Sequence, residues 1–482
     1  MSARPASPTD YPVALARVTP GPAGYEAAGI AEVLEGLGAS LGWADAGGPF
    51  GALVPPGARV VVKPNWVMHR NKGPWGLDCL LTHPAVVTAV VDALCRSRAG
   101  RITLGDAPLQ GCDFPSLIRW GGIDAWAAEL GARDPRFHGP LDFRRTRSRL
   151  VNGVLVQAED QLPLSDFVLF DLAGESLLEP VSGERAAFRV TQYDPDRMAA
   201  THRPGRHQYL VARVVMEADV VVNLPKLKTH RKAGMTCALK NVVGINGNKE
   251  YLPHHRVGGS RDGGDCYPGR SVIKRAHETV LDAQNRATSH GARWLLNFPA
   301  RALSVMGRVL GDSLGVEGAW SGNDTVWRMC LDLDRILLYG RLDGTLADRP
   351  QRRVVSVVDA VVAGQGDGPL APEPFTLGLL LAGENAAAVD HVCARLLGYD
   401  PVRIPLVRES FGSFRWPLAP LGLAAVRAHD LAGRPARLEE FPRPCYYPEG
   451  WLDAVERDGR ATAPVGRSFR PALMQRLEPQ EA

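Results

Sequence analysis

One feature constrains the fold of this chain more than any other. A short β-branched run, ARVVVKPNW at 58–66, precedes apolar residues at helical spacing in HPAVVTAVVDALCRSRAG at 83–100, and a second short run, RITLGDAP, follows at 101–108. Runs of this length and composition read as buried strands. A strand, a helix closing on Gly100 and another strand make a parallel crossover unit. Further strands are expected at 165–172, 218–224, 352–361 and 376–382, with a helix at 385–397 that ends at Gly398. The alternation predicts an α/β protein of Rossmann-like lobes with parallel strands.

The expected organisation has four parts. An N-terminal α/β lobe (1–269) carries one helix near 24–40 and a basic site loop. A helical insertion (270–345) is marked by Trp- and Met-containing stretches such as ARWLLNFPARALSVMGRVL. An α/β segment follows at 346–435, and a Pro- and Arg-rich extended tail occupies 436–482.

At 482 residues, 45% hydrophobic and 22% charged, the composition is that of a globular protein with sizeable cores. The net charge of +4 is too small to argue for nucleic acid. The first residues lack the apolar core and cleavage site of a secretory signal, and no apolar run is long enough for a spanning helix. The eight cysteines show no Cys-x-x-Cys pair, so no iron–sulfur cluster, structural zinc or disulfide framework is expected. A cytoplasmic location follows as the expectation.

Ligands of open α/β sheets bind beyond the carboxyl ends of the strands, and polar residues gather there. The first strand runs into Lys63, Pro64 and Asn65, the second into Asp106, a third into Asn223 and a later one into Asp359. Each has an ordinary reading: a surface lysine, a turn or cap aspartate, a solvated loop. The Gly-rich GQGDGP at 364–369 lacks the Gly-Lys-Ser/Thr of a P-loop and reads as a tight turn approached closely by other backbone.

The segment 223–256 is the densest cluster. Lys226, Lys228, His230, Arg231, Lys232, Lys240, Lys249, His254, His255 and Arg256 face a single acid, Glu250. The interleaved Gly, Pro, Asn and Thr suit a shaped loop better than a helix face, and fixed cations with backbone N–H groups suit a carboxylate or phosphate. Aromatic residues for base stacking are sparse, which disfavours RNA.

The ordered motifs KPN (63–65), THP (82–84), GDAP (105–108), NLPKLKTH (223–230), ALKNVVGIN (238–246), VVDAVVAGQGDGP (357–369) and AGENAAAVDHVCARLLG (382–398) resemble the domain of unknown function 362 family. Many members of that family carry a ferredoxin-like cluster domain; this chain departs from them in lacking the cysteines. More distantly, His230-x-x-x-Gly234-x-Thr236-x-x-x-Lys240 is similar to a segment of nickel-pincer lactate racemases. That similarity implies a covalent cofactor on Lys240, acid–base work by His230 and nickel ligation by His254 or His255.

Together these readings give an enzyme acting on an anionic small molecule by an isomerase- or epimerase-like proton or hydride shift. His230, Lys240, Asp106 and Asp359 are the expected catalytic groups. Lys63, Asn65, Asn223, Lys226, Lys228, Asn241 and Lys249 are the expected substrate ligands. The cofactor stays open, with a divalent metal, nickel or magnesium, as the candidate. Two alternatives remain: metal-dependent phosphoryl transfer through Asp106 and Asp359, and a non-catalytic anion-binding protein. A homo-oligomer is compatible with either, and the amphipathic 293–310 stretch is expected to pack on the chain itself or on a second subunit rather than on a membrane.

Overall fold

The computed structural model describes residues 9–18, 25–151, 154–160, 162–183, 187–191, 193–309, 314–456 and 465–466. Ten strands form the central sheet: β1 (Tyr11–Arg17), β2 (Arg59–Pro64), β3 (Arg101–Asp106), β4 (Phe137–Asp142), β5 (Val220–Leu224), β6 (Lys226–His230), β7 (Gly234–Thr236), β8 (Arg353–Asp367), β9 (Ala371–Gly383) and β10 (Val426–His429). Their main order is β10-β1-β9-β8-β5-β2-β3-β4. From β8 to β4 every pairing is parallel, whereas β9 runs antiparallel to both β8 and β1.

The valine runs dictate this arrangement. Val60 and Val62 belong to the core on one face of the sheet and Val61 to the core on the other. A strand apolar on both faces needs cover on both, and each buried valine contributes about 1.5–3 kcal/mol. On one side α1 (Ala27–Ser40) supplies Ile30, Leu34 and Leu37, and α2 (Pro84–Cys95) supplies Val86, Val87 and Val90. The α2 start is set locally, because the His83 side chain accepts from Ala85 N and Pro84 occupies the first turn.

The segment 270–345 contains three helices of different character. The first two, α4 (Val272–Arg286) and α5 (His290–Val309), form a hairpin tied by Gln284, which donates to Arg293 O at 3.1 Å and Asn297 Oδ1 at 2.6 Å. The third, α6 (Val326–Tyr339), lies in the core on the second face together with α7 (Ala386–Leu396). A four-residue helical turn, α3 (Ala238–Asn241), precedes them in the chain and carries two site residues.

Two strands differ from expectation. The Phe167–Asp171 strand, expected at 165–172, joins a small antiparallel sheet with Arg206–Ala212 instead of the central one. The sequence YPVALAR forms β1, although its alanines and leucine carry no strand preference; pairing with β9 and β10 decides the matter. Within 436–482, residues up to 456 pack on the body of the protein: Trp451, Tyr447 and Ala454 are buried, and Trp451 Nε1 donates to Arg231 O at 2.6 Å.

Candidate functional site

The site is built where β5 ends. Pro225 interrupts the strand after Leu224, its carbonyl accepts from Asp359 N at 2.9 Å, and the chain resumes as β6 along the second half of β8. Residues 226–230, expected in a loop, are therefore a strand buried at all five positions. The physical reason is that β8 outlasts β5 and offers an unpaired edge, while internal partners satisfy the lysines. Glycines make the approach feasible. A Cβ on Gly364 would stand 2.7 Å from Lys228 Cβ, and one on Gly368 would stand 1.9 Å from Thr229 O.

Two lysines here are fully engaged. Lys226 Nζ lies 2.9 Å from Asp359 Oδ2 and 2.7 Å from Tyr25 Oη. Asp359 in turn accepts from Tyr25 Oη at 2.8 Å and His83 N at 2.9 Å. Lys63 Nζ lies 2.8 Å from Asp106 Oδ1, and Asp106 also accepts from Trp66 N and Ala107 N. Burial pushes the Lys63 ammonium down and the Asp106 carboxyl up from their ordinary values, and each charge opposes the other's shift. Gly244 lies against this pair: a Cβ there would meet Asp106 Oδ1 at 2.1 Å. Asp106 and Asp359 thus have both oxygens occupied.

Between these pairs runs a buried chain of amides. Asn65 Nδ2 donates to Asn241 Oδ1, and Asn241 Nδ2 donates to Asn223 Oδ1, both at 2.7 Å. Asn223 Nδ2 ends the chain on Ala238 O at 2.9 Å. Lys228 Nζ donates to Asn65 Oδ1 at 2.9 Å and to Leu80 O. Burial pulls Lys228 down to about 7. The amides fix β2, β5 and α3 to one another, and polarisation along such a chain strengthens its members.

Lys240 differs from all of these. It projects from α3, is 9% exposed, and forms no hydrogen bond or ion pair among the described residues. Its charge bears on Lys63, Lys228, Lys232, Lys249, His230 and His254. Lys249 donates to Ala107 O at 2.8 Å and is drawn down to about 7 by burial. His230 Nδ1 accepts from Lys232 N at 3.0 Å and Ala233 N at 3.2 Å, which assigns its proton to Nε2. Burial first, then the Lys240 charge, holds His230 well below its ordinary value, so it is a neutral N–H donor.

Sequence reasoning missed the residue that orients Lys240. Asp390, on α7, accepts from Ala238 N at 2.6 Å and Leu239 N at 3.3 Å, at the start of α3. Burial raises Asp390 to about 7. Its only signal was a place in the AGENAAAVDHVCARLLG motif. Thr82, in the THP motif, similarly accepts from Asn65 N and donates to Leu224 O.

The two adjacent histidines separate. His254 shares the electrostatic environment of His230 and Lys240, with Nδ1 paired to Leu252 O at 2.7 Å. His255 lines a small cleft with Arg189, Glu278 and Asp282 and leaves Nδ1 without a partner. Among the described residues no three His, Cys, Asp or Glu side chains converge in a way that would hold a metal ion.

The Domain of unknown function (DUF362) family profile matches residues 60–151 and 175–395. The chain belongs to this family. Its Lys63, Lys226, His230 and Lys240 all fall within the matched residues. A thylakoid-associated protein of Synechocystis sp. is 24% identical over 358 residues, 74% of this chain and 68% of the relative. A crystallised Thermotoga maritima protein aligns over 75% of this chain and 56% of its own length, with 11% identity and a TM-score of 0.32. Among the described residues no helix is long and apolar enough to cross a membrane.

Proposed function

We propose that this chain is an enzyme that binds an anionic small molecule, a carboxylate or phosphate, against Lys240 and shifts a proton on it. The observation that carries the reading is Lys240 itself. It is a nearly buried ammonium with no counter-charge among the described residues, amid other lysines, while the nearby carboxylates Asp106 and Asp359 are already spent on Lys63 and Lys226. Concentrated positive charge in a low-dielectric setting favours an anion.

In this reading the amide chain and Asp390 hold α3 so that the Lys240 ammonium meets the anion. His230 acts as a neutral electrophile: Nδ1 is pinned by two backbone N–H groups, and Nε2–H donates to an oxygen that gains charge. Lys249, with its amine near neutrality at about pH 7, is the group suited to take up and return a proton. Asp106 and Asp359 position lysines and take no part in metal-assisted phosphoryl transfer. A second reading, in which Lys240 would instead carry a tethered nickel cofactor with His254 as a ligand and so supply reversible hydride transfer, gives up both the Lys240 ammonium and the proton shift.

The test combines calorimetry and NMR. Inorganic phosphate, small hydroxy acids and phosphate esters are titrated into the protein and the Lys240→Met variant, then incubated in D2O to follow exchange of substrate C–H. Binding that Lys240→Met removes, with C–H exchange in the unaltered protein, supports the reading. Binding without exchange of any compound reduces it to anion binding, and absence of any Lys240-dependent binding sinks it. Intact mass shows whether Lys240 carries a covalent group.

A further inference from the structure

The α4–α5 hairpin reverses the usual disposition of an amphipathic helix. Along α5 the exposed positions include Trp294, Leu295, Phe298, Val305, Met306 and Val309, with Leu295 62%, Phe298 57% and Val309 80% exposed. At about 100° per residue these fall in one stripe roughly 120° wide. Trp294 and Phe298 already pack edge to face, with ring centroids 4.9 Å apart. The opposite side mixes small, polar and leucine residues and faces inward: Ala300 and Gly307 are buried, Leu296 and Leu303 are half-buried, and Asn297 is bonded to Gln284 of α4. The apolar stripe is therefore turned outward by the packing of the hairpin.

The polar residues identify what covers it. The helix carries Arg293, Arg301 and Arg308 and no Asp or Glu. Exposed Arg301 borders the stripe near the middle of the helix. We propose that α5 is an interfacial helix that docks this protein on bilayers carrying anionic lipid headgroups. From Trp294 to Val309 the stripe is about 24 Å long at 1.5 Å per residue, suited to lying in the plane of the interface. Trp294 and Phe298 enter the acyl boundary, and the Arg301 stem lies along the apolar surface while its guanidinium reaches phosphate. A second copy of the chain fits less well, because two-fold packing of this stripe brings Arg301 beside its own mate.

The experiment is flotation of the full chain with vesicles of phosphatidylcholine alone and with about 30 mol% phosphatidylglycerol, in a range chosen to give a surface potential. The protein floats with the anionic vesicles, and more weakly in high salt. Replacing Leu295 and Phe298 together by Glu lowers partitioning at least about tenfold. Arg301→Gln lowers it about fivefold. These side chains are exposed, so unchanged melting confirms that the variants fold; if the Glu pair does not, the Ser pair takes its place. Failure to float with anionic vesicles overturns the proposal. So does light scattering that shows a dimer which the double variant dissociates, since a second copy would then cover the stripe. Lys240→Met floats like the unaltered protein, which keeps this test independent of the proposed reaction.

Discussion

Lys226 and Lys240 belong to one basic segment, yet the protein treats them in opposite ways. Lys226 is enclosed on β6, with the Asp359 carboxylate at 2.9 Å and the Tyr25 hydroxyl at 2.7 Å. Lys240 has neither carboxylate nor hydroxyl within hydrogen-bonding reach among the described residues, and its charge bears on other cationic groups, His230 and Lys249 among them. Taking an ammonium out of water costs several kcal/mol, which an ion pair of good geometry repays and an unpaired setting does not. The difference separates architecture from function. One lysine's charge is settled inside the fold, and the proposed function gives the other's to a bound anion.

The comparison breaks most easily on the paired side. Asp359→Ala strands a buried ammonium and should cost about 3–5 kcal/mol in urea denaturation. Adding Lys226→Met should recover most of that loss, because a thioether chain needs no counter-charge. A loss below about 1 kcal/mol would mean that water reaches Lys226 and that the two lysines do not differ in kind.

On the unpaired side the signs reverse. Lys240→Met should leave stability unchanged or raise it by up to about 1 kcal/mol, since it removes like-charge repulsion. Anion affinity should fall about 10- to 100-fold, the worth of a charge-assisted hydrogen bond. Next in size is Asp390→Ala, which strips the two N–H groups at the start of α3 of their acceptor. A loss of about 1–2 kcal/mol is expected, together with a smaller loss of anion affinity as Lys240 wanders. If affinity falls while the melting point holds, Asp390 touches the ligand and is more than a support for α3.

Much of the fold was legible because it rests on local patterns. The valine runs named β2, β5 and β8, and the Gly-closed apolar helix between β2 and β3 named the crossover. The strand-end residues Lys63, Asn65, Asn223 and Asp106 did come together. Pairing was what the sequence concealed. Asp106 and Asp359 look like free carboxylates until Lys63 and Lys226 are seen across the sheet, and these contacts span tens to hundreds of residues. The β6 strand was hidden for a related reason: alternation of Lys with Leu and Thr reads as a solvated segment unless both faces are known to be covered. For α5 the apolar periodicity was plain, but periodicity carries no sign, and only the packing against α4 shows which face is outward.

Protons offer the last way to test the comparison. Lys228 and Lys249 are both held near 7 by burial, well below an unfolded lysine. Between about pH 7 and 9 the unfolded chain keeps these two protons and the folded protein sheds them, so folding stability should rise with pH through that window. Above that range the buried thiols, whose ionisation burial delays, act in the opposite direction. A bound anion should reverse the balance: it favours charged amines, draws protons back on, and holds the protein less tightly as pH climbs through the same window. Denaturation against pH with and without phosphate measures both slopes. Lys228→Met with Lys249→Met should flatten the first. A slope that survives the double substitution would place the titrating groups elsewhere and leave Lys240 as the only lysine of this cluster poised for a ligand.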